Sequence, residues 1–257
     1  MCNRPIGIFD SGLGGVTVLK EILKIMPNEN YIYFSDSKNN PYGDKSSEEI
    51  FDLCDKIVNK FFNKDNCKAL VIACNTASAK SANKLRKRYP KKIIIAIEPA
   101  YKMVHDLAYE KSTLVMATKG TIESEKFNNL YKKYDNHKTY LLPCIGLADI
   151  IEKGDTNSLE DYLKKHLSKY AGNVQNVVLG CTHYPLIQDE IKKILGDVTF
   201  FNGAPNLAKH LKNVLLMKNL LNKDTKKGTI IFLDSSNEPI KSKRFFSYLN
   251  SHWETVL

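Results

Sequence analysis

Two cysteines of this chain stand in matching surroundings. Residues 69–78 read Ala-Leu-Val-Ile-Ala-Cys-Asn-Thr-Ala-Ser, and residues 176–185 read Asn-Val-Val-Leu-Gly-Cys-Thr-His-Tyr-Pro. Each segment is an apolar run, a small residue, a cysteine and then polar residues that include threonine. The cysteines, Cys74 and Cys181, are 107 residues apart. Each is expected to follow a strand and precede a helix, and a helix N-terminus favours the thiolate over the thiol. Asn75 and Thr76 on one side, and Thr182 and His183 on the other, add hydrogen-bonding neighbours.

Several chemistries use cysteine, and most fit this pair poorly. A metal site needs further ligands at suitable spacing, and the chain has neither HxxxH nor HExxH. Dithiol redox chemistry typically uses CxxC, which is also missing. A cysteine hydrolase needs one nucleophile and a histidine base, which leaves the second cysteine without a role. Two thiols facing each other across a cleft suit proton transfer at carbon. One thiolate removes a proton from one face, and the opposing thiol supplies one to the other. A racemase needs that symmetry, because both enantiomers are its substrates.

A glycine-rich segment, Asp10-Ser11-Gly12-Leu13-Gly14-Gly15, follows the first apolar run. It fails the dinucleotide fingerprint, whose third glycine would fall at Thr17, and no GxxxxGK[ST] exists in the chain. It reads either as an anion site for a carboxylate, built from backbone N–H groups and the Ser11 hydroxyl, or as a tight strand–helix turn that uses glycine. Asp10 is placed to accept from a substrate ammonium or to orient a thiol. Asn40-Pro41-Tyr42-Gly43 follows the second run and Thr118, Gly120 and Thr121 follow the fifth in the same way. The other four cysteines read differently. Cys54 and Cys67 are small buried apolar residues, Cys2 is terminal, and Cys144 has no polar partner motif beside it.

The elements that must hold these residues alternate along the chain. Short β-branched runs at 5–9, 31–35, 69–73, 93–97, 113–117, 139–142, 177–180, 199–201 and 229–233 lack clean period-two alternation. That is the pattern of parallel strands buried on both faces. Helical spacing occupies 16–25, 46–62, 77–89, 101–109, 122–133, 158–170, 186–195 and 205–221. The alternation predicts an α/β fold. Open α/β sheets place ligands at the carboxyl ends of their strands, where Cys74 and Cys181 fall. Breaks are expected after Ile97-Glu98-Pro99 and near Asn202-Gly203.

The 257 residues suit one large domain or two small ones, and 43% hydrophobic with 26% charged residues excludes wholesale disorder. The net charge is +10, but lysine supplies 34 of the 38 cations and arginine four. Base-reading sites lean on the arginine fork, so a solvated lysine-rich surface is favoured over a nucleic-acid groove. No run approaches the roughly 18 apolar residues of a spanning helix. The N-terminus passes directly into a strand rather than a leader. A cytoplasmic protein with reduced thiols and no membrane partner is expected.

In these segments the sequence resembles the glutamate racemases of the aspartate/glutamate racemase superfamily. The matching stretches are Gly7-Ile8-Phe9-Asp10-Ser11-Gly12-Leu13-Gly14-Gly15, Pro41-Tyr42-Gly43, Ala73-Cys74-Asn75-Thr76-Ala77-Ser78, Ile97-Glu98-Pro99, Ala117-Thr118 with Gly120-Thr121-Ile122, and Gly180-Cys181-Thr182-His183-Tyr184-Pro185-Leu186. They occur in family order and span most of the chain. The resemblance implies cofactor-independent interconversion of L- and D-glutamate for peptidoglycan synthesis, and usually a homodimer. It implies two pseudo-symmetric α/β domains with mainly parallel sheets, 1–97 plus 205–257 and 98–204, with the active site in the cleft between them. Carried over, Cys74 and Cys181 are the acid/base thiols, with Asp10 near the first and His183 and Glu152 near the second. Ser11, Tyr42, Gly43, Asn75, Thr76, Thr118, Thr121 and Thr182, together with Asp10 and His183, are implied to bind substrate. No metal is implied. Aspartate or a related amino acid is the alternative substrate, and nucleic-acid binding a remote one.

Overall fold

A computed structural model describes residues 2–249 of the chain. The nine apolar runs form strands β1 (Ile6–Asp10), β2 (Tyr31–Ser35), β3 (Ala69–Ile72), β4 (Ile94–Ala96), β5 (Thr113–Ala117), β6 (Thr139–Pro143), β7 (Asn176–Gly180), β8 (Thr199–Phe201) and β9 (Ile230–Asp234). They make two sheets, ordered β4-β3-β1-β2-β9 and β6-β5-β7-β8. Every pairing is parallel. As expected of parallel sheets covered on both faces, every residue of β1, β3, β5 and β7 is buried.

The two sheets share one wiring. β1 pairs with β2 on one side and β3 on the other, and β4 lies beyond β3. β5 likewise pairs with β6 and β7, and β8 lies beyond β7. Each sheet therefore reverses its strand order between its first and third strands, which is where α/β sheets open a crevice for ligands. Cys74 follows β3 and Cys181 follows β7, the equivalent strands. β9, from the C-terminal segment, extends the first sheet by pairing with β2 from Tyr31↔Ile230 to Ser35↔Asp234.

The helices are α1 (Val16–Ile25), α2 (Ser47–Asn59), α3 (Asn75–Arg88), α4 (Tyr101–Ala108), α5 (Lys119–Ile122), α6 (Glu125–Tyr134), α7 (Leu147–Lys153), α8 (Thr156–Leu167), α9 (Gln188–Leu195), α10 (Ala204–Met217) and α11 (Pro239–Leu249). One face of α1, with Val18, Leu19 and Ile22, packs with Leu207, Leu211 and Leu215 of α10 beneath the first sheet. α2 starts on a capping box in which Ser46 and Glu49 satisfy each other's backbone N–H groups. On the same sheet, Phe245 of α11 stacks on Phe232 of β9, with ring centroids 4.5 Å apart. Among the described residues no helix is long and apolar enough to cross a membrane.

The structure departs from the sequence expectation in a few elements. The helix expected over 46–62 gives way to a π-helical turn at Lys60–Lys64. That expected over 122–133 is two helices, α5 and α6, because Ser124 caps a new start by accepting the Phe127 N–H. The one expected over 186–195 begins with a 3-10 turn at Tyr184–Ile187. α7 and α11 were not expected at all, and both bear on the site.

Candidate active site

The loop after β1 is held by the protein's own polar groups. Asp10 is fully buried. Its Oδ1 accepts from the Ser11 hydroxyl and the Gly12 N–H, each at 3.3 Å, and its Oδ2 accepts from the Thr182 hydroxyl at 2.8 Å. The Tyr33 hydroxyl donates to the Gly12 carbonyl at 2.9 Å, and the Leu13 N–H donates to Glu152 Oε2 at 3.3 Å. Two N–H groups expected to serve an external carboxylate thus serve Asp10 and Glu152 instead. The glycines are needed for close approach. A Cβ on Gly12 would sit 2.2 Å from Glu152 Oε2, and one on Gly14 would sit 2.5 Å from His183 Nδ1.

Cys74 caps α3, its sulfur accepting the Ala77 N–H at 3.4 Å. Ser11 Oγ lies 3.5 Å from the same sulfur. The helix N-terminus favours a thiolate here. Yet burial, and then the nearby Asp10, push the Cys74 pKa up to about 12 against the Ala77 and Ser11 hydrogen bonds. Cys74 is therefore a thiol at neutral pH. Burial likewise raises the Asp10 carboxyl above its ordinary value, opposed by His183, Thr182 and the Gly12 N–H.

Cys181 does not lie at the N-terminus of an α-helix, because a turn and the 3-10 segment separate it from α9. Its nearest polar partner is His183, whose Nδ1 is 3.7 Å from the sulfur. His183 Nε2 is 3.0 Å from Glu152 Oε2. Burial opposes a charge on His183, but the Cys181 sulfur and the Glu152 carboxylate outweigh it and hold the pKa well above the ordinary histidine value. Burial also opposes charge on Glu152, yet His183 and Lys241 pull it down to about 2. The imidazolium and carboxylate form a buried pair beside Cys181.

Both sulfurs line one cavity of about 140 Å³ between the two sheets' loops. Ser11, Tyr42, Gly43, Asn75, Thr76, Thr118, Thr182 and His183 line it as well, and so does Cys144. Asp10, Glu152 and Thr121 do not line it and stand behind its wall. Thr121 reaches it through a hydroxyl triangle, with Thr76–Thr118 at 2.8 Å, Thr118–Thr121 at 3.0 Å and Thr76–Thr121 at 3.3 Å. The Tyr42 hydroxyl donates to Asp36 Oδ2 at 2.6 Å. Among the described residues no hydrogen bond reaches the buried acceptor Asn75 Oδ1. Among the described residues no three of His, Cys, Asp and Glu converge as metal ligands.

Two features escaped the sequence reading. Asn40 donates to Asp149 across the cavity mouth at 3.2 Å. On α11, Lys241 Nζ lies 2.6 Å from Glu152 Oε1. Lys241 stands in a basic stretch near the C-terminus that reads as solvated surface, so no local pattern could have paired it with Glu152.

Comparison with known proteins places the chain among racemases. The family model Asp/Glu/Hydantoin racemase matches residues 14–211. A glutamate racemase of Clostridium novyi is 45% identical over 93% of this chain and 95% of its own. The structure superposes on Bacillus anthracis glutamate racemase with a TM-score of 0.85 and 30% identity, covering 99% of this chain and 97% of that one. It superposes on Francisella tularensis glutamate racemase in complex with D-glutamate with a TM-score of 0.81 and 32% identity, covering 99% and 98%.

Proposed function

This chain belongs to the Asp/Glu/Hydantoin racemase family, and from that premise we propose that it interconverts L- and D-glutamate by proton transfer between Cys74, Cys181 and the α-carbon. The observation that carries this reading is that two thiols from equivalent strands line a single cavity. Their surroundings are unequal in the way two-base chemistry requires. Cys74 is a thiol, with its pKa raised to about 12, while the Cys181 sulfur lies 3.7 Å from Nδ1 of His183.

In one direction Cys181 acts as the thiolate and takes the α-proton of one enantiomer, and the Cys74 thiol delivers its proton to the opposite face. The product is the mirror image, Cys181 is now a thiol and Cys74 a thiolate. That is the starting state for the reverse direction, and proton exchange with water restores the first. His183 and Glu152 hold the charge on one side, and Asp10 and Ser11 flank the sulfur on the other. The α-carbanion character is met by donors of the cavity wall, namely the Thr76 hydroxyl and the backbone at Gly43. The unpartnered Asn75 Oδ1 accepts from the substrate ammonium.

The chain is read as two α/β domains, 1–97 plus 205–257 and 98–204, a division supported by the presence of two separate parallel sheets. The enzyme works without a cofactor as a cytoplasmic homodimer, and its D-glutamate enters peptidoglycan synthesis. The direct test is purified protein with D-glutamate or D-aspartate, no cofactor added, followed by chiral chromatography. L-glutamate should accumulate to equal the D form. No conversion of glutamate, or a requirement for added pyridoxal phosphate or metal, overturns the reading.

A further inference from the structure

The C-terminal helix α11 packs on the first sheet through Phe245, which stacks on Phe232 and lies 4.6 Å from the Tyr33 ring. From there it reaches the acid/base apparatus on the Cys181 side. Lys241 Nζ is 2.6 Å from Glu152 Oε1, Arg244 Nη1 donates to the Glu152 backbone carbonyl at 2.6 Å, and the Tyr248 hydroxyl donates to the Ile151 carbonyl at 3.4 Å. The Lys241 and Glu152 side chains are 16% and 5% exposed, so the ion pair is withdrawn from water.

The two oxygens of Glu152 have separate tasks. Oε1 faces Lys241, while Oε2 faces His183 Nε2 and the Leu13 N–H. A carboxylate pinned at both oxygens has one orientation, and that orientation aims Oε2 at the imidazole whose other nitrogen meets Cys181. Lys241 does not line the cavity. It touches neither thiol, so any effect it has on the reaction passes through Glu152 and His183.

We propose that Lys241 is a positioning residue of the racemase, fixing Glu152 so that His183 presents Nδ1 to Cys181. This rests on the racemase reading above. Without the ammonium, Glu152 keeps one cation and loses the contact that sets its rotation. His183 then loses its orienting partner, while the cavity that binds substrate is unchanged.

The test is steady-state kinetics on Lys241→Met, Lys241→Arg, Glu152→Gln and the K241M/E152Q double variant, with thermal melting of each. K241M is expected to lower kcat about tenfold with KM within twofold of the wild type, and K241R to recover most of the loss. In the E152Q background K241M should add less than a twofold further loss, because Lys241 acts only through that carboxylate. Lys241→Gln, which keeps part of the stem and a neutral donor, repeats the comparison if K241M folds poorly. Unchanged kcat in K241M, a loss that falls wholly on KM, failure of K241R to restore activity, or full additivity with E152Q would each overturn the proposal. A wild type that does not racemise glutamate fails the underlying reading instead and removes this proposal's premise.

Discussion

Asp10 Oδ2 accepts a hydrogen bond from the Thr182 hydroxyl at 2.8 Å. This contact ties the end of β1, in the first sheet, to the residue between Cys181 and His183, in the turn that follows β7 of the second. Asp10 therefore serves both sides of the cleft. Its charge bears on Cys74, while its hydrogen bond orders the loop that carries the opposing thiol. Thr17 adds a second tie, its hydroxyl donating to the Thr182 carbonyl at 3.0 Å.

Removing the Thr182 hydroxyl leaves a buried carboxylate oxygen short of its donor. Thr182→Val should cost about 1–3 kcal/mol of stability, read from the urea midpoint, and Thr182→Ser should restore most of it. A Val variant as stable as the wild type would mean that the Asp10–Thr182 bond holds nothing together.

Gly14 faces His183 and Thr182 so closely that no side chain fits, with a Cβ meeting Thr182 Oγ1 at 2.6 Å as well as the imidazole. Gly14→Ala should lower kcat about a hundredfold or more by displacing His183, even where the melting temperature stays within a few degrees. Near-normal turnover in this variant would show that the glycine loop serves only as a tight turn.

The Glu152 charge gives stability a defined pH dependence. Its folded pKa, about 2, lies below the ordinary 4.5. A depressed carboxylate contributes stability that is fully present above the unfolded pKa and is lost as pH falls through the folded one. His183 stays protonated across this acidic range, since its folded pKa is raised. The stability gap between wild type and Glu152→Gln should therefore shrink by about 2 kcal/mol between pH 5 and pH 3. A gap that stays constant or widens on acidification contradicts the buried pair.

Much of the fold and of the site was legible in the sequence, for identifiable reasons. The strands of a parallel sheet are short and apolar on both faces, so all nine stood out as runs. The repeat around Cys74 and Cys181 survived because both sit at the same point of the same wiring. α7 was not legible because it has only seven residues and starts at Gly146, with φ of +76° and no side-chain cap, so no start signal precedes it. With it went any local sign of Glu152, which only the family resemblance supplied. α11 carries Lys and Arg where a surface helix would, and its role shows only when Lys241 meets a residue 89 positions away. The electrostatic expectation for Cys74 failed on burial: the helix N-terminus is present, but desolvation and Asp10 outweigh it. At Cys181 the expected helix start is replaced by a histidine.

The account turns on two thiols acting on opposite faces of one carbon. The measurement that tests it most directly is proton NMR of D- and L-glutamate in deuterium oxide with the wild type, Cys74→Ala and Cys181→Ala. The wild type should wash deuterium into the α-position of either enantiomer as racemisation proceeds, and each Ala variant should fold yet fail to racemise. Full racemisation by either variant, or wild-type turnover that leaves the α-proton in place, would contradict it.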